Sequence, residues 1–417
     1  MAKKSVKKET STVAKTKTAN TSATSASAKS SAAKASTKAS TAAPTGRQSA
    51  ASKAKAKETG HKLEGLAESI AKSAAKKTTP KLEIPIRALS NVKFNPKRAI
   101  IEMGENRQSR AFFDMNMAKK FMQTTLIAAQ CKQLIEAGKT ASIRQLYYLS
   151  KHDVAGTKEK TFNGQEESDP IIEDIEVTID SLREELHVYA SNRGNLVGPV
   201  TLVDDGNTLD CMRMGSAGYP VPSIVEPDMI QFKKCSAKFI LHVEKDTVWR
   251  RFYEDRFHEK HHCIVTHGGG QPARGMRRLL RRMHDELKLP VYCLLDCDPW
   301  GYYIYSVIKQ GSISLAYESQ RMAVPSAVYI GVSSFDYDRC GLSDDVKIGL
   351  DDNDIKRAKQ ILNYPWFAGK KPWEKEIRKM MSNGFKMEVE AMINKRLTYL
   401  TEEYVPMKLK DKKQWLD

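Results

Sequence analysis

Hydrophobic side chains are spaced unevenly along this chain, and their spacing divides it into segments. Residues 1–60 carry almost no large apolar side chains, which predicts a disordered tail. A helical spacing over residues 61–80 predicts one short amphipathic helix and a linker. Denser apolar patterns over residues 81–223 and 224–417 predict two folded domains.

The pattern of residues 81–223 predicts helices followed by a β-hairpin. The elements are a short strand, a long helix over residues 115–137, a helix around Tyr148, a polar loop over residues 157–169, a helix over residues 171–186, and strands that flank a turn at residues 204–207. This order is typical of a winged-helix (CAP-like) domain, a variant of the helix-turn-helix that binds duplex DNA.

One helix of this domain carries a tyrosine on its polar face. Ser142, followed by Gln145 three residues later, fits a capping box at the helix start. At 3.6 residues per turn, Tyr147 falls on the apolar stripe, whereas Tyr148 shares another face with Arg144. The segment is therefore either an amphipathic core helix with a solvated tyrosine or a helix that presents Tyr148 and Arg144 to a phosphodiester.

Residues 224–417 have the rhythm of a parallel α/β sheet, with carboxylates at the strand ends. Glu244 follows one short apolar strand, and Asp296 and Asp298 follow another. The carboxyl ends of parallel strands are where open α/β sheets bind ligands, and three oxygen donors without His or Cys suit Mg²⁺. With a glycine-rich loop at residues 267–270, this order predicts a Mg²⁺ site. The predicted strands cover residues 238–243, 263–266 and 291–295.

Two further motifs lack the context that their chemistry requires. Residues 258–262 spell the zinc-protease pattern H-E-x-x-H, but a strand begins directly afterwards, so the second His should fall out of helical phase. Gly270 and Gly275 have the spacing of a phosphate loop, but Met276 and Arg277 stand where Lys and Ser or Thr are required. We therefore expect neither a zinc site nor an ATP site of the Walker type.

Composition indicates a basic protein that works inside the cell. The net charge is +18, and the first 80 residues, which contain 17 Lys or Arg and 4 Glu, supply most of it. Such a lysine-rich segment is typical of non-specific binding to nucleic-acid phosphates, although a solubilising linker has the same composition. The 7 cysteines are scattered without a C-x-x-C pair, which favours reduced thiols. No apolar run is long enough to predict a membrane span.

Taken together, these motifs resemble the A subunit of topoisomerase VI, the type IIB topoisomerase whose relatives include the protein that makes meiotic double-strand breaks. The resemblance covers roughly residue 81 to the end of the chain. Its carriers occur in the family's order: SIRQLYY, GSAGYPVP, FILHVEKDTVW, the run from HGGGQPARG to DCDPWGYYIY, and ESQRMAVPSAVYIGV.

The resemblance implies a winged-helix domain that carries the tyrosine, joined to a Toprim α/β domain that carries the metal acids. It implies that Tyr148 is the nucleophile and that Arg144 assists it. It also implies that Glu244, Asp296 and Asp298 hold Mg²⁺. The implied partners are double-stranded DNA, a second copy in a homodimer, and a GHKL-type ATPase B subunit that uses ATP in an A₂B₂ heterotetramer, with no membrane.

The expected activity is that of the DNA-cleaving and rejoining subunit of an ATP-dependent type IIB topoisomerase, in the cytoplasm on the nucleoid or in a nucleus. Two alternatives share its sequence features. A break-forming protein of the meiotic type, which does not reseal DNA, has the same catalytic residues. A DNA-compacting protein would rely on the basic tail and have an inactive site.

Overall fold

The computed structural model describes residues 50–417, so most of the predicted disordered tail lies outside the described residues. The last part of that tail differs from the prediction. Residues 50–60 form the start of one helix that continues through the predicted short helix. The extension follows from packing and propensity, because Ala56 and Thr59 are buried and Ala and Lys are strong helix formers.

The first part of the described chain is a helical unit with short strands. The predicted long helix over residues 115–137 is confirmed, whereas the last helix begins inside the predicted polar loop, where Glu166 and Glu167 favour a helix N-terminus. The elements are α1 (Ala50–Ala75), β1 (Lys81–Pro85), β2 (Val92–Asn95), β3 (Ile100–Met103), β4 (Arg107–Ala111), α2 (Ala118–Glu136), β5 (Ala141–Ser142), α3 (Ile143–Ser150), α4 (Gln165–Thr178) and β6 (Val188–Tyr189).

The remainder of the chain alternates strands and helices, and the predicted strands at residues 238–243, 263–266 and 291–295 are confirmed within one or two residues. The elements are β7 (Asn195–Val197), β8 (Val200–Asp204), β9 (Asn207–Asp210), β10 (Tyr219–Pro220), β11 (Ile230–Cys235), β12 (Ile240–Val243), α5 (Asp246–Glu254), α6 (Phe257–Lys260), β13 (Ile264–His267), α7 (Arg274–Leu287), β14 (Val291–Leu294), α8 (Pro299–Lys309), α9 (Ser319–Met322), β15 (Val328–Gly331), α10 (Asp336–Cys340), β16 (Ile348–Gly349), α11 (Asp352–Leu362), α12 (Lys371–Asn383), β17 (Phe385–Lys386) and α13 (Val405–Lys410).

A six-stranded sheet organises this second part, with the strand order β10-β7-β13-β12-β14-β15. The strands β13, β12, β14 and β15 run parallel, and β7 and β10 add an antiparallel edge. The central strands β12 and β13 are buried at every residue, as expected for a parallel sheet that is covered on both faces. The sheet and its helices enclose the larger of two main hydrophobic cores among the described residues.

The predicted hairpin turn at residues 204–207 is present, but its surroundings differ from the prediction. The hairpin β8–β9 joins β11 in a separate three-stranded sheet. Val200, Leu202 and Ile230 of this sheet are buried in the larger core, not beside the Tyr148 helix. The alternation of apolar residues on β8 specifies one buried face without specifying its partner.

A smaller core lies in the helical unit and holds the Tyr148 helix. Leu146 and Tyr147 of α3 pack there with Ile127 of α2 and Ile175 of α4. Leu63 of α1 is part of the same core, so α1 docks on the helical unit. Within residues 50–417, no helix is both long and apolar enough to cross a membrane.

Buried ion pairs connect the two cores. Arg274, at the start of α7, lies 2.6 Å from Glu176 and 3.2 Å from Glu173, both on α4. It also lies 3.0 Å from Glu318. Burial raises the pKa of Glu176 to about 7, although the Arg274 charge opposes the rise. The guanidinium therefore supplies positive charge that the buried carboxylates need.

We expect Arg274→Ala to lower the free energy of unfolding by about 3–5 kcal/mol, because it leaves buried carboxylates without a counter-charge. Equilibrium urea unfolding measures this loss. Arg250→Ala is the matched control, since Arg250 pairs with Glu254 at the surface and its removal should cost under about 1 kcal/mol. Equal losses in the two variants would contradict this account of the contact between the cores.

Candidate active site

The start of α3 is held in place by hydrogen bonds that the sequence predicts. The Ser142 hydroxyl accepts from the Gln145 N–H at 3.1 Å, and the Gln145 side chain accepts from the Ser142 N–H at 2.8 Å. Both bonds of the predicted capping box are therefore present. Parallel pairing of β5 with β6 fixes the chain just before the helix. The rotation of α3 about its axis is set by these contacts and by its buried face.

The two adjacent tyrosines have opposite environments. Tyr147 is 7% exposed, and its hydroxyl accepts a hydrogen bond from Lys151 Nζ at 2.9 Å and donates to the Asn163 carbonyl at 3.4 Å. Tyr148 is 57% exposed, and its hydroxyl has no hydrogen-bond partner within residues 50–417. The prediction that Tyr147 faces the core and Tyr148 faces outward is confirmed.

Cationic groups lie beside the exposed tyrosine. The Arg144 guanidinium carbon lies 5.7 Å from the centroid of the Tyr148 ring, and Arg144 is itself exposed. Lys151, which directly follows the helix, has a raised pKa, mainly because of its hydrogen bond to Tyr147, with a further contribution from Tyr148. The predicted pair of Arg144 and Tyr148 is therefore brought together, with a second cation close by.

Glu244 and Asp296 are brought together by the pairing of their strands. The parallel register sets Val243 beside Leu294, so the two chains leave the sheet side by side. The Asp296 N–H donates to Glu244 Oε2 at 3.2 Å, and both side chains are buried. The sequence prediction that these strand ends converge is confirmed.

These carboxyl groups have raised pKa values even though the Lys245 ammonium lies beside Asp296. Burial, followed by the nearby Asp296 and Asp298, raises the pKa of Glu244 to about 8. Burial also raises the pKa of Asp296 to about 6, although the Val389 N–H at 2.8 Å from Oδ1 lowers it. The pKa of Asp298 is raised by burial as well. A divalent cation would favour the charged form of all three groups.

The donor atoms suit a hard cation, but these three side chains alone do not complete its coordination. All three groups supply carboxylate oxygens, which Mg²⁺ prefers. One oxygen of Asp298 accepts from the Gly301 N–H and caps α8, so part of its hydrogen-bonding capacity is already used within the fold. Within residues 50–417, no three His, Cys, Asp or Glu side chains converge in a metal-binding arrangement. Mg²⁺ binding would therefore need water ligands or substrate oxygens as well.

Three residues near Asp296 were missed by the sequence analysis. Lys245 Nζ lies 3.0 Å from Asp296 Oδ2, 3.0 Å from Glu388 Oε1 and 3.3 Å from Glu390 Oε2. Because Lys245 directly follows Glu244 in the chain, its place at this edge of the sheet could have been predicted from the sequence. Glu388 and Glu390 follow the strand pairing of β16 with β17, and only the tertiary fold brings them here.

The glycine-rich loop is attached to the same edge of the sheet. The Gly270 N–H donates to the Glu244 carbonyl at 2.9 Å. Gly269 and Gly270 both have positive φ angles, which a side chain would disfavour. The loop predicted at residues 267–270 therefore lies beside Glu244 and holds no Walker-type lysine.

The rejected zinc motif is also explained by the geometry. His258 lies in the short helix α6, whereas His262 lies beyond that helix with φ of 50°. The two side chains therefore do not share a helical face, as the sequence indicates.

Tyr148 and the three carboxylates occupy different parts of the fold. Tyr148 lies on a helix of the smaller core, whereas Glu244 and Asp296 follow strands of the larger core. In the described part of the chain, no hydrogen bond or ring contact joins Tyr148 to Glu244, Asp296 or Asp298. One copy of the chain presents the two sets of groups separately.

The raised pKa values predict that stability depends on pH. Glu244 and Asp296 hold protons in the folded chain at pH values where an unfolded carboxyl group has released them. Their stabilisation is present below the ordinary carboxyl pKa and is lost as pH rises through about 6 and then about 8.

We therefore expect the thermal unfolding midpoint of the chelator-treated chain to fall as pH rises from about 5 to about 8. Glu244→Gln should remove most of the fall near the upper end. Glu254→Gln, at a surface position, should behave like the unsubstituted chain. A profile that is the same for all three proteins would rule out the electrostatic account of the carboxylate pair.

Three family models match the chain in sequence order. "Type IIB DNA topoisomerase" matches residues 119–188, and the all-beta domain of DNA topoisomerase VI alpha matches residues 192–236. The Toprim domain that the topoisomerase 6 A subunits share with Spo11 matches residues 239–409. The all-beta match includes β8, β9 and β11, the three strands of the separate sheet.

Curated relatives match along most of their length. The type 2 DNA topoisomerase 6 A subunit of Aeropyrum pernix is 39% identical over 354 residues, which are 81% of this chain and 90% of the relative. The protein of the same name from Pyrococcus horikoshii is 38% identical over 343 residues, 80% of this chain and 89% of the relative. The DNA topoisomerase 6 A3 subunit of Oryza sativa subsp. indica is 34% identical over 333 residues, 80% of this chain and 73% of the relative. The chain belongs to the family of topoisomerase VI A subunits.

Proposed function

We propose that this chain cleaves and rejoins duplex DNA as the A subunit of an ATP-dependent type IIB topoisomerase. The observation that carries the proposal is the contrast between the two tyrosines, because only Tyr148 offers its hydroxyl to a large substrate. Membership of the topoisomerase VI A family supports the same activity. The meiotic and DNA-compacting alternatives have no observation of their own in their favour.

Cleavage transfers a phosphoryl group from a 3′-oxygen of DNA to the tyrosine oxygen. The Tyr148 oxygen attacks phosphorus and forms a 5′-phosphotyrosyl ester, while the bond to the 3′-oxygen breaks. The 3′-oxygen keeps the electron pair of that bond and takes up a proton, and the tyrosine hydroxyl gives up its own. The reverse transfer reseals the strand, because the ester conserves the energy of the broken bond.

Arg144 would assist this step by charge. Its guanidinium lies on the exposed face with Tyr148, so it can contact the phosphoryl oxygens as negative charge develops there. The Lys151 ammonium donates to the Tyr147 hydroxyl, lies 5.3 Å from the centroid of the Tyr147 ring, and adds positive potential near the two tyrosines. Tyr147 is a positioning residue in this scheme.

Glu244, Asp296 and Asp298 would hold Mg²⁺, which when bound would stabilise negative charge on the phosphoryl oxygens. The Lys245 ammonium and the Val389 N–H each contact one oxygen of Asp296. These contacts orient Asp296 and limit its rotation.

The separation of Tyr148 from the carboxylates supports a homodimer. One tyrosine cuts one strand, so a double-strand break requires two copies of the chain. We propose that the carboxylates of one copy act with the Tyr148 of the other. ATP would be hydrolysed by a separate B-type GHKL subunit, which gives an A₂B₂ heterotetramer acting on chromosomal DNA, in the nucleoid or the nucleus.

The helical unit is proposed to bind DNA as the helix-turn-helix part of a winged-helix domain. Helices α2, α3 and α4 pack around one core, and α3 keeps its polar face free for duplex DNA. The lysine-rich residues 1–49 would add non-specific attraction to DNA phosphates.

We expect Tyr148→Phe to abolish covalent adducts between the chain and duplex DNA, because it removes the attacking oxygen. The assay traps adducts with detergent after incubation of the chain with its B-type partner, Mg²⁺ and ATP. Tyr147→Phe is the matched control and should still form adducts, with a loss of about 1 kcal/mol in stability as Lys151 loses its acceptor. Adducts that survive in Tyr148→Phe and vanish in Tyr147→Phe would refute the assignment.

A further inference from the structure

A cavity of about 360 Å³ lies between the helical unit and the start of α7. Its lining carries much more positive than negative charge. The charged side chains that line it are Arg183, Arg193, Arg274, Arg277 and Glu173. Its position between the two cores sets it apart from the Tyr148 hydroxyl and from the carboxylate pair, neither of which lines it.

Arg277 is a buried cation without a carboxylate contact. It is 4% exposed, and its Nε has no hydrogen-bond partner in the described part of the chain. Burial lowers its pKa to about 10. On the same helix, Arg278, Arg281 and Arg282 each contact a carboxylate within 3.0 Å. Arg277 lines the cavity and differs from these three neighbours in having no carboxylate contact.

Arg183 approaches the cavity from the segment that follows α4. It is 9% exposed, and its Nε likewise has no partner among residues 50–417. Its pKa is lowered by burial and then by the charge of Arg274. Two buried guanidinium groups thus line one cavity without a carboxylate contact within the described residues.

The other charged groups around the cavity are already engaged. Arg274 contacts Glu173, Glu176 and Glu318. Glu173 also contacts Arg87, so its charge is shared between two arginines. Arg193 donates one hydrogen bond to the Gly269 carbonyl at 2.6 Å. The unmatched charge in the cavity is therefore positive.

Backbone N–H groups at the start of α7 add further hydrogen-bond donors. Helix α7 spans 14 residues, and its N-cap residue, Ala273, has no side-chain hydrogen bond to the first turn. The N–H groups of Gly275 and Met276, which line the cavity, have no partner within the helix. Such a helix start attracts anions through its N–H groups and its dipole.

We infer that this cavity binds a phosphate group, held by Arg183, Arg277 and the first turn of α7. A tetrahedral oxyanion accepts several hydrogen bonds at once and matches the fork of donors on a guanidinium. The site goes beyond the proposed function, since neither Tyr148 nor the carboxylates Glu244, Asp296 and Asp298 line it. Its phosphate comes either from a free phosphate-bearing molecule or from a DNA backbone.

The test is isothermal titration of the full chain with inorganic phosphate at constant ionic strength. We expect saturable binding of one phosphate per chain. Arg277→Met and Arg183→Met should each weaken it about ten- to a hundredfold, as expected for loss of a charged hydrogen-bond donor. The matched control is Arg281→Met, because Arg281 lies on the same helix outside the cavity and should leave the affinity unchanged.

Binding of a duplex oligonucleotide distinguishes a free phosphate-bearing molecule from a DNA backbone as the source of the phosphate. If the backbone of DNA fills the site, phosphate competes with DNA and Arg277→Met lowers the salt dependence by about one phosphate contact. If a free molecule fills it, Arg277→Met and Arg281→Met bind DNA equally. Phosphate binding needs no DNA cleavage, so this test stands even if the topoisomerase activity is not found.

Identical titrations for the unsubstituted chain and Arg277→Met, including no binding in either, would overturn the inference. Thermal unfolding of each variant verifies that it folds. If Arg277→Met does not fold, Arg183→Met and the titration of the unsubstituted chain decide the outcome, and absence of saturable binding in the latter overturns the inference by itself.

Discussion

The parallel pairing of β12 with β14 is the constraint on which the site depends. Its register makes Glu244 and Asp296 leave the sheet side by side, where burial raises both pKa values and the charge of Asp296 further raises that of Glu244. A fold that forces two carboxyl groups together loses stability when they ionise. The Lys245 ammonium and the Val389 N–H offset part of this cost, and a divalent cation would offset more.

The second requirement is a rigid presentation of Tyr148. Because α3 is only eight residues long, it depends on its capping box and on the burial of Leu146 and Tyr147 for its orientation. These contacts belong to the smaller core, and the carboxylates belong to the larger one. Buried ion pairs around Arg274 join the two cores, so Tyr148 and the carboxylates belong to one folded unit without contacting each other.

Local periodicity was sufficient to predict the parts of the site that depend on one element. Helical phase separated Tyr148 from Tyr147, and strand ends located Glu244 and Asp296. Features that depend on contacts between distant segments could not be predicted. The hairpin β8–β9 has an apolar face that fits either core, and Glu388 and Glu390 approach Lys245 only through the tertiary fold, from a segment far along the chain.

The central claim is that the Tyr148 of one copy works with the carboxylates of another. It is tested most directly by mixing Tyr148→Phe chains with Asp296→Ala chains and assaying single-strand nicking with the B-type partner present. Each variant alone should be inactive, whereas the mixed dimer should contain one complete site and nick one strand. A mixture that nicks no more than either variant alone would contradict the claim.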